Sequence, residues 1–281
     1  MAPPDKKLVA EVERLVLARI EAGRVEVPAI GVGAMRCLDI MRAEDFDHRV
    51  LIKEIECEPM IAALVMKTAN AAIHGHGVTK LEQAVLRLGA TRLEVLILEY
   101  AARKVFDSSG PFAVANRKIW DHSVAVARLA RDLASYVGRR DADAYYLAGL
   151  LHDIGKPVVA AMLLETSRKV APGLTSWLDL TMWNRVVGDI HHEAAQLVGK
   201  AWKLPPTILV GREREFDISE RQSLANVVKT ANALAKQVGF TTGPVDADQL
   251  SNIIESGSSI VGIAPEVVVQ IAAAVKEATP P

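Results

Sequence analysis

The chain is 281 residues long, 50% hydrophobic and only 5% aromatic, with a formal net charge of −1 and a pI near 6.7. That length can bury a substantial core, as one large domain or two modest ones. The near-neutral balance, without a run of Lys and Arg long enough to track phosphates, argues against nucleic acid as a principal partner.

Composition also points to a fold class. Ala, Leu and Val outnumber Thr, Tyr and Phe, which favours helices packed through small residues over sheets, so an all-α fold is expected. Cys37 and Cys57 stand alone; without C-x-x-C spacing they suggest neither a disulfide framework nor a zinc knuckle, and a reducing, cytoplasmic setting fits. The opening "MAPPDKKLVAEVERLVLARIEAG" alternates charged and apolar residues and lacks the continuous apolar region of a signal peptide. The longest apolar run, 158–164, falls short of the roughly 18 residues that cross a bilayer, so no membrane partner is expected.

In chain order, Val9, Val12, Leu15, Val16 and Arg19 recur at helical spacing, and Gly23 supplies a stop. "VPAIGVGAMRCLDIM" (27–41) opens with a proline near a helix start and puts Val32, Met35 and Leu38 on one stripe. "DHRVLIKEIECEPMIAALVMKTANAAIHG" predicts a helix from near Asp47, a break at Glu58 and Pro59, and a second helix whose Ile61, Leu64, Val65 and Thr68 share a face. "VTKLEQAVLRLGATRLEVLILEYAA" (78–102) predicts two helices hinged at Gly89. "DSSGPFAVAN" (107–116) is the densest run of helix breakers in the first half and reads as a joint. The expected domains are an N-terminal helix (1–24), a first helical lobe (25–110) and a second lobe with C-terminal helices (111–281).

Beyond the joint, "IWDHSVAVARLARDLASYVG" predicts a long amphipathic helix ending at Gly138. Asp141 or Asp143 then caps the helix that carries His152 and Asp153, Gly155 ends it, and Pro157 suits the first turn of the next. Later helices are expected over 183–202, 219–239, 246–254 and 265–277. "GRR" (138–140) and "GREREF" (211–216) read as solvated loops.

Helical position decides how much each histidine can mean. His122, Val126, Leu129, Leu133 and Val137 form one stripe, so His122 faces inward. Val187, His191, Ala194, Val198 and Ala201 form another, which puts His191 inside and His192 about 100° away on a flank. On the central helix, Ala144, Ala148 and His152 share a row, while Gly149 and Asp153 lie in the next, where the missing side chain lets a neighbouring helix approach. His122, His152, Asp153 and His191 can thus converge on one interior point, a donor set suited to one Zn, Mn or Fe ion. The alternative is a metal-free cluster of buried imidazole and carboxylate bonded to each other and to backbone. His48, His74 and His76 read as surface residues.

Over roughly residues 25 to 240 the sequence resembles the HDOD family, the HD-related output domain of bacterial signalling proteins. "VPAIGVGAMRCLDIM", "IECEPMIAALVMKTANAAIHG" and "LEQAVLRLGATRLEVLIL" are similar to that family's proline-led helix, its DP-L-x-LLRLANSA segment and its AI-x-x-LG helix. "WDHSVAVARLA", "AGLLHDIGK" and "GDIHHEAAQLVGKAWKLPPTI" are similar to its W-x-HS, GLLHDIG and H-x-E…G-x-x-LA-x-x-W-x-LP segments. Glu58 stands where the family has Asp, and Ala71 where it has Ser. The catalytic relatives, HD-GYP phosphodiesterases of cyclic di-GMP, carry a further His pair where this chain has "GREREF", an Asp where it has Asn232, and a GYP motif that it lacks.

The resemblance implies an HD-like helical bundle in the second lobe with a degenerate metal site. His122, His152, Asp153 and His191 are its metal ligands, Asn232 stands at the usual Asp position, and Lys156 would contact phosphate or nucleotide. No residue is assigned a catalytic role, because phosphodiester cleavage wants metal-bound hydroxide between ions clamped by bridging carboxylates. The function expected is a non-catalytic regulatory protein of bacterial signalling, with cyclic di-GMP-related or kinase and response-regulator proteins as partners. Its contact surfaces would be the cleft between lobes and apolar patches near Trp177, Trp183 and Trp202, unless those tryptophans are core. The alternative is a single-metal phosphohydrolase or cyclic-dinucleotide phosphodiesterase.

Overall fold

The structure is a computed structural model that describes residues 6–71, 77–107, 112–170, 180–211 and 215–279. Among them are twelve α-helices, one 3-10 turn and no strand. The helices are α1 (Lys6–Glu21), α2 (Val32–Met41), α3 (His48–Glu56), α4 (Pro59–Ala71), α5 (Leu81–Phe106) and α6 (Ala113–Tyr136). They continue as α7 (Ala142–Leu151), α8 (Gly155–Val170), α9 (Leu180–Ala201), α10 (Leu224–Gln237), α11 (Ala247–Val261) and α12 (Pro265–Ala278). The chain divides into two compact units, Ala29–Lys104 and a second made of Met1–Pro28 with Val105–Pro281.

Within Ala29–Lys104, α2 packs on α3 and α3 on α4. Asp47 caps α3 by accepting a hydrogen bond from the Arg49 N–H at 2.8 Å, and Ile61, Val65 and Ala69 form the buried edge of α4. Gly89 breaks α5 with φ 73°, a conformation L side chains avoid, which is the hinge the sequence predicts. The stripe of α2 differs from expectation. Ala34, Cys37 and Leu38 are buried, whereas Val32 is 71% exposed. The helix starts at Val32, so this residue stands at its exposed first turn, and the buried face runs through Ala34, Cys37 and Leu38.

In the second unit, α6 packs against α7, α10 and α12, and α8 against α9 and α1. Val126, Leu129, Leu133, Ala148, Val227, Ala231 and Leu234 make the centre of its core. Val12 and Val16 of α1 are fully buried, and Arg19 holds Glu165 of α8 at 2.9 Å. A Cβ on Gly149 would stand 2.8 Å from the Ala127 Cα, so this glycine does bring α6 and α7 together. A Cβ on Gly155 would collide with the His191 carbonyl, so glycine is what lets α8 cross α9.

Three boundaries are corrected. Gly155 opens α8 and does not end α7, which stops at Leu151. α10 begins at Leu224, later than expected, because the Asn226 amide binds the Asp217, Glu220 and Arg221 carbonyls and holds that segment as a loop, with Ser223 as the N-cap. α11 runs on to Val261, where Gly262 ends it at φ 88°. Gly257 lies against the Thr230 side chain of α10, so packing carries α11 through its Gly- and Ser-rich stretch. Ala142–Val170 is apolar enough to span a membrane by composition, yet it is two helices parted by a turn and is mostly buried within the protein.

Candidate functional site

The site grows from the end of α7. Leu147 to Leu151 are all buried, so the chain reaches the interior before it turns. His152 and Asp153 lie on the turn between α7 and α8, not within the helix as the spacing suggested. The Ile154 N–H returns to the Leu151 carbonyl at 3.0 Å, and the Lys156 N–H to that of Asp153 at 2.9 Å. The turn aims the Asp153 carboxylate between α6 and α9, where His122 and His191 arrive on the buried stripes expected of them.

Distances confirm the convergence. His152 Nε2 is 3.3 Å and His122 Nε2 3.9 Å from Asp153 Oδ2, while His191 Nε2 is 3.3 Å from Oδ1. The side chains of His122, His152 and Asp153 are no more than 3% exposed. Each imidazole is oriented from behind by backbone. His122 Nδ1 donates to the Phe240 carbonyl at 2.8 Å, His152 Nδ1 to that of Gly149 at 2.7 Å, and His191 Nδ1 to that of Gly188 at 2.9 Å. A carbonyl only accepts, so each Nδ1 carries its proton, and the neutral ring then presents the Nε2 lone pair to the centre.

Electrostatics follow from burial. His122 has its pKa lowered to about 3, by desolvation first and by the neighbouring His152 second. Burial pushes Asp153 the other way, but its interactions with His152 and with the Lys156 ammonium outweigh it and hold the carboxyl well below its ordinary range. Lys156 Nζ binds Asp153 Oδ2 at 2.6 Å. The lysine assigned to phosphate therefore already has an anion, the same oxygen that faces His122 and His152.

Asn232 lines a cavity together with His152, and its Oδ1 is buried with no hydrogen-bond partner among the described residues. His192, set aside on a flank, has its ring 3.8 Å from that of His191 and its pKa lowered to about 4, by burial and then by His191. Gly211 lies between His192 and His152; its Cβ would sit 3.3 Å from His192 Cε1 and 3.8 Å from His152 Cβ. Sequence reasoning missed His192, Lys236 and the Phe240 carbonyl. The first had a signal, its adjacency to His191; a backbone carbonyl has none. Of "GREREF", Arg212 to Arg214 lie outside the described residues, Glu215 is exposed, and Phe216 packs under Lys229 at 4.4 Å.

The donor set fits one divalent ion. Ligand atoms of His122, His152 and Asp153 lie within 4.8 Å of one another, and His191 Nε2, outside that trio, meets the opposite carboxylate oxygen at 3.3 Å. The His152 Nε2 has no hydrogen-bond partner among the described residues, as an atom meant for a cation would. When bound, such an ion would cross-link α6, the α7–α8 turn and α9. A bridged pair of ions does not fit, since Asp153 is the one carboxylate among the described members of the cluster.

Of the tryptophans, Trp202 is core: it is 1% exposed, and its indole N–H donates to the Pro28 carbonyl at 3.0 Å. Trp177 and the side chain of Trp183 lie outside the described residues, as do His74 and His76, whereas His48 is exposed as expected.

A helical bundle with a buried His–Asp cluster at an interhelical turn defines an HD-related class. The chain matches the HDOD domain model over residues 27–213 and belongs to that family. In fold it is similar to a candidate metal-dependent phosphohydrolase from Shewanella amazonensis SB2B, at 17% identity and TM-score 0.74, over 98% of this chain and 100% of that one. It is also similar to an HDOD domain protein of unknown function from Geobacter sulfurreducens, at 20% identity and TM-score 0.57, over 97% and 99% of the two chains. A stretch of 110 residues is 36% identical to Ribonuclease Y of Opitutus terrae, covering 39% of this chain and 20% of that enzyme.

Proposed function

We propose that this HDOD protein is a non-catalytic regulator in bacterial signalling, acting through contacts with other proteins. The observation behind this reading is the ammonium of Lys156 on Asp153 Oδ2 at 2.6 Å. The single carboxylate of the cluster is neutralised from within, and among the described residues of the cluster no second one stands by to bridge ions or to take a proton from water. The site serves as a buried polar joint, able to hold one Fe, Mn or Zn ion structurally, that fixes three elements of the second unit. Membership of the HDOD family supports this role, and the absence of a long basic run disfavours nucleic acid.

The alternative is single-metal phosphohydrolase activity, favoured by the three imidazoles with Nε2 already directed inward. The test is metal analysis of the purified chain with hydrolysis assays on cyclic dinucleotides and phosphate monoesters under Mn, Fe, Ni and Zn. The expected result is at most one ion per chain and no turnover. Turnover that Asp153→Ala abolishes while circular dichroism is retained would overturn the proposal.

A further inference from the structure

Beside the cluster lie two adjoining cavities that the reading above leaves unused. One, of about 260 Å³, is lined by Lys156, Lys236, Thr242 and Asp246 among others. The second, of about 210 Å³, is lined by His152 and Asn232. Lys236, Leu250 and Ile253 border both, so the α10 lysine stands where they meet.

Lys236 is the anomaly. Among the described residues no acceptor lies within bonding distance of its ammonium. Burial lowers its pKa, with Asp153 opposing and Lys156 reinforcing the shift. Neither nearby carboxylate serves it. Asp153 is held by Lys156, and Asp246 caps α11 by accepting the Gln249 N–H at 3.0 Å. A partly buried ammonium is costly unless an anion joins it, and two ammonium groups on one wall match a doubly charged oxyanion better than a single carboxylate. In the second cavity the Asn232 Oδ1 is buried without a donor, and Leu250 and Ile253 supply apolar surface. The chemistry that satisfies all of this is a phosphate at one end and an N–H-bearing, flat, largely apolar body at the other.

We propose that the paired cavities bind a nucleoside monophosphate, with its phosphate between Lys236 and Lys156 and base N–H groups toward Asn232. Occupancy then bears on the packing of α10 and α11 against the histidine turn, which makes the ligand an input to the regulatory role; only this last step rests on the function proposed above.

The experiment is calorimetric titration of the full chain with AMP, GMP and inorganic phosphate, before and after chelation of metal. Saturable binding of a monophosphate, tighter than inorganic phosphate and indifferent to chelation, is expected. Lys236→Met weakens it about tenfold, the loss of one charge-assisted contact, and Lys236→Arg restores most of it. Asn232→Ala weakens the nucleotide and spares inorganic phosphate. Asp153→Asn frees Lys156 and tightens both. Thermal melts identify any variant that fails to fold, and the remaining variants then decide. No saturable binding, binding unchanged by Lys236→Met, binding lost on chelation, or nucleotide and phosphate bound equally would each overturn the proposal. Absent binding leaves the regulatory function standing, whereas hydrolysis of the bound nucleotide refutes that function and upholds the site.

Discussion

The two compact units bury different chemistry. Within Ala29–Lys104 the buried side chains are apolar, whereas among the described residues every buried polar or charged side chain belongs to the other unit, His122, His152, Asp153 and His191 included. An apolar core needs only shape and volume. A buried imidazole or carboxylate also needs its donors and acceptors matched, or it destabilises the fold by a few kcal/mol. The second unit therefore spends backbone carbonyls, a lysine and close helix crossings on holding polar groups.

Two probes separate the units. All four tryptophans lie beyond residue 105, so their fluorescence reports on the polar unit, and Cys37, buried in the apolar one, reports by its reactivity toward thiol reagents while Cys57 is exposed.

The largest expected effect is that of Asp153→Ala. It leaves Lys156 and three imidazoles without their anion, and breaking a buried pair in this way costs about 3–5 kcal/mol. Urea unfolding followed by tryptophan fluorescence measures the loss, and Cys37 protection should barely change. An unshifted fluorescence midpoint would show that the two units do not differ as claimed.

Glycine substitution sharpens the contrast. In Gly155→Ala the new methyl meets the His191 backbone, which cannot swing aside, so a loss of about 2–3 kcal/mol is expected. In Gly33→Ala it meets the end of the Glu58 side chain, which can rotate away, and the change should stay within about 1 kcal/mol. Equal losses would contradict the account of rigid and yielding contacts.

The units should also fail at opposite ends of the pH scale. His122 and His192 have pKa values lowered to about 3 and about 4, below the roughly 6.5 of an unfolded histidine. As pH falls below that value the unfolded chain takes up protons the native one refuses, so stability present above it is lost on the way down, by at most about 1.4 kcal/mol per proton and pH unit. Burial, with Glu54 and Glu58 adding, pushes the Cys37 thiol up from 9.0 to about 12. Its contribution is complete below pH 9.0 and fades as pH rises toward 12. Fluorescence midpoints should therefore drop toward pH 4, and Cys37 protection should weaken above pH 9; the reverse assignment would refute it. Asp47→Ala, which removes the α3 cap, should cost about 1 kcal/mol, read as faster Cys37 labelling with fluorescence unchanged.

Much of this was legible in the chain itself. The stripe through His122, Val126, Leu129 and Leu133 and that through Val187, His191 and Ala194 placed both histidines inside because helical period alone decides which side chains share a face. Gly149 announced the close approach of a neighbouring helix, which the structure makes α6, and Gly89 the break in α5. Boundaries set by distant partners were not legible: the start of α10 depends on Asn226 reaching back to Asp217, and the length of α11 on Gly257 meeting Thr230.

The sequence by itself determined an all-helical HDOD chain and the burial of His122, His152, Asp153 and His191, since periodicity and motif order are local properties of the string. Only the tertiary structure decided that Lys156 rests on Asp153, that backbone carbonyls preset each imidazole, and that Lys236 faces a cavity without an anion. Those outcomes depend on helices far apart in the chain arriving at one place, where charge and hydrogen bonding act through space.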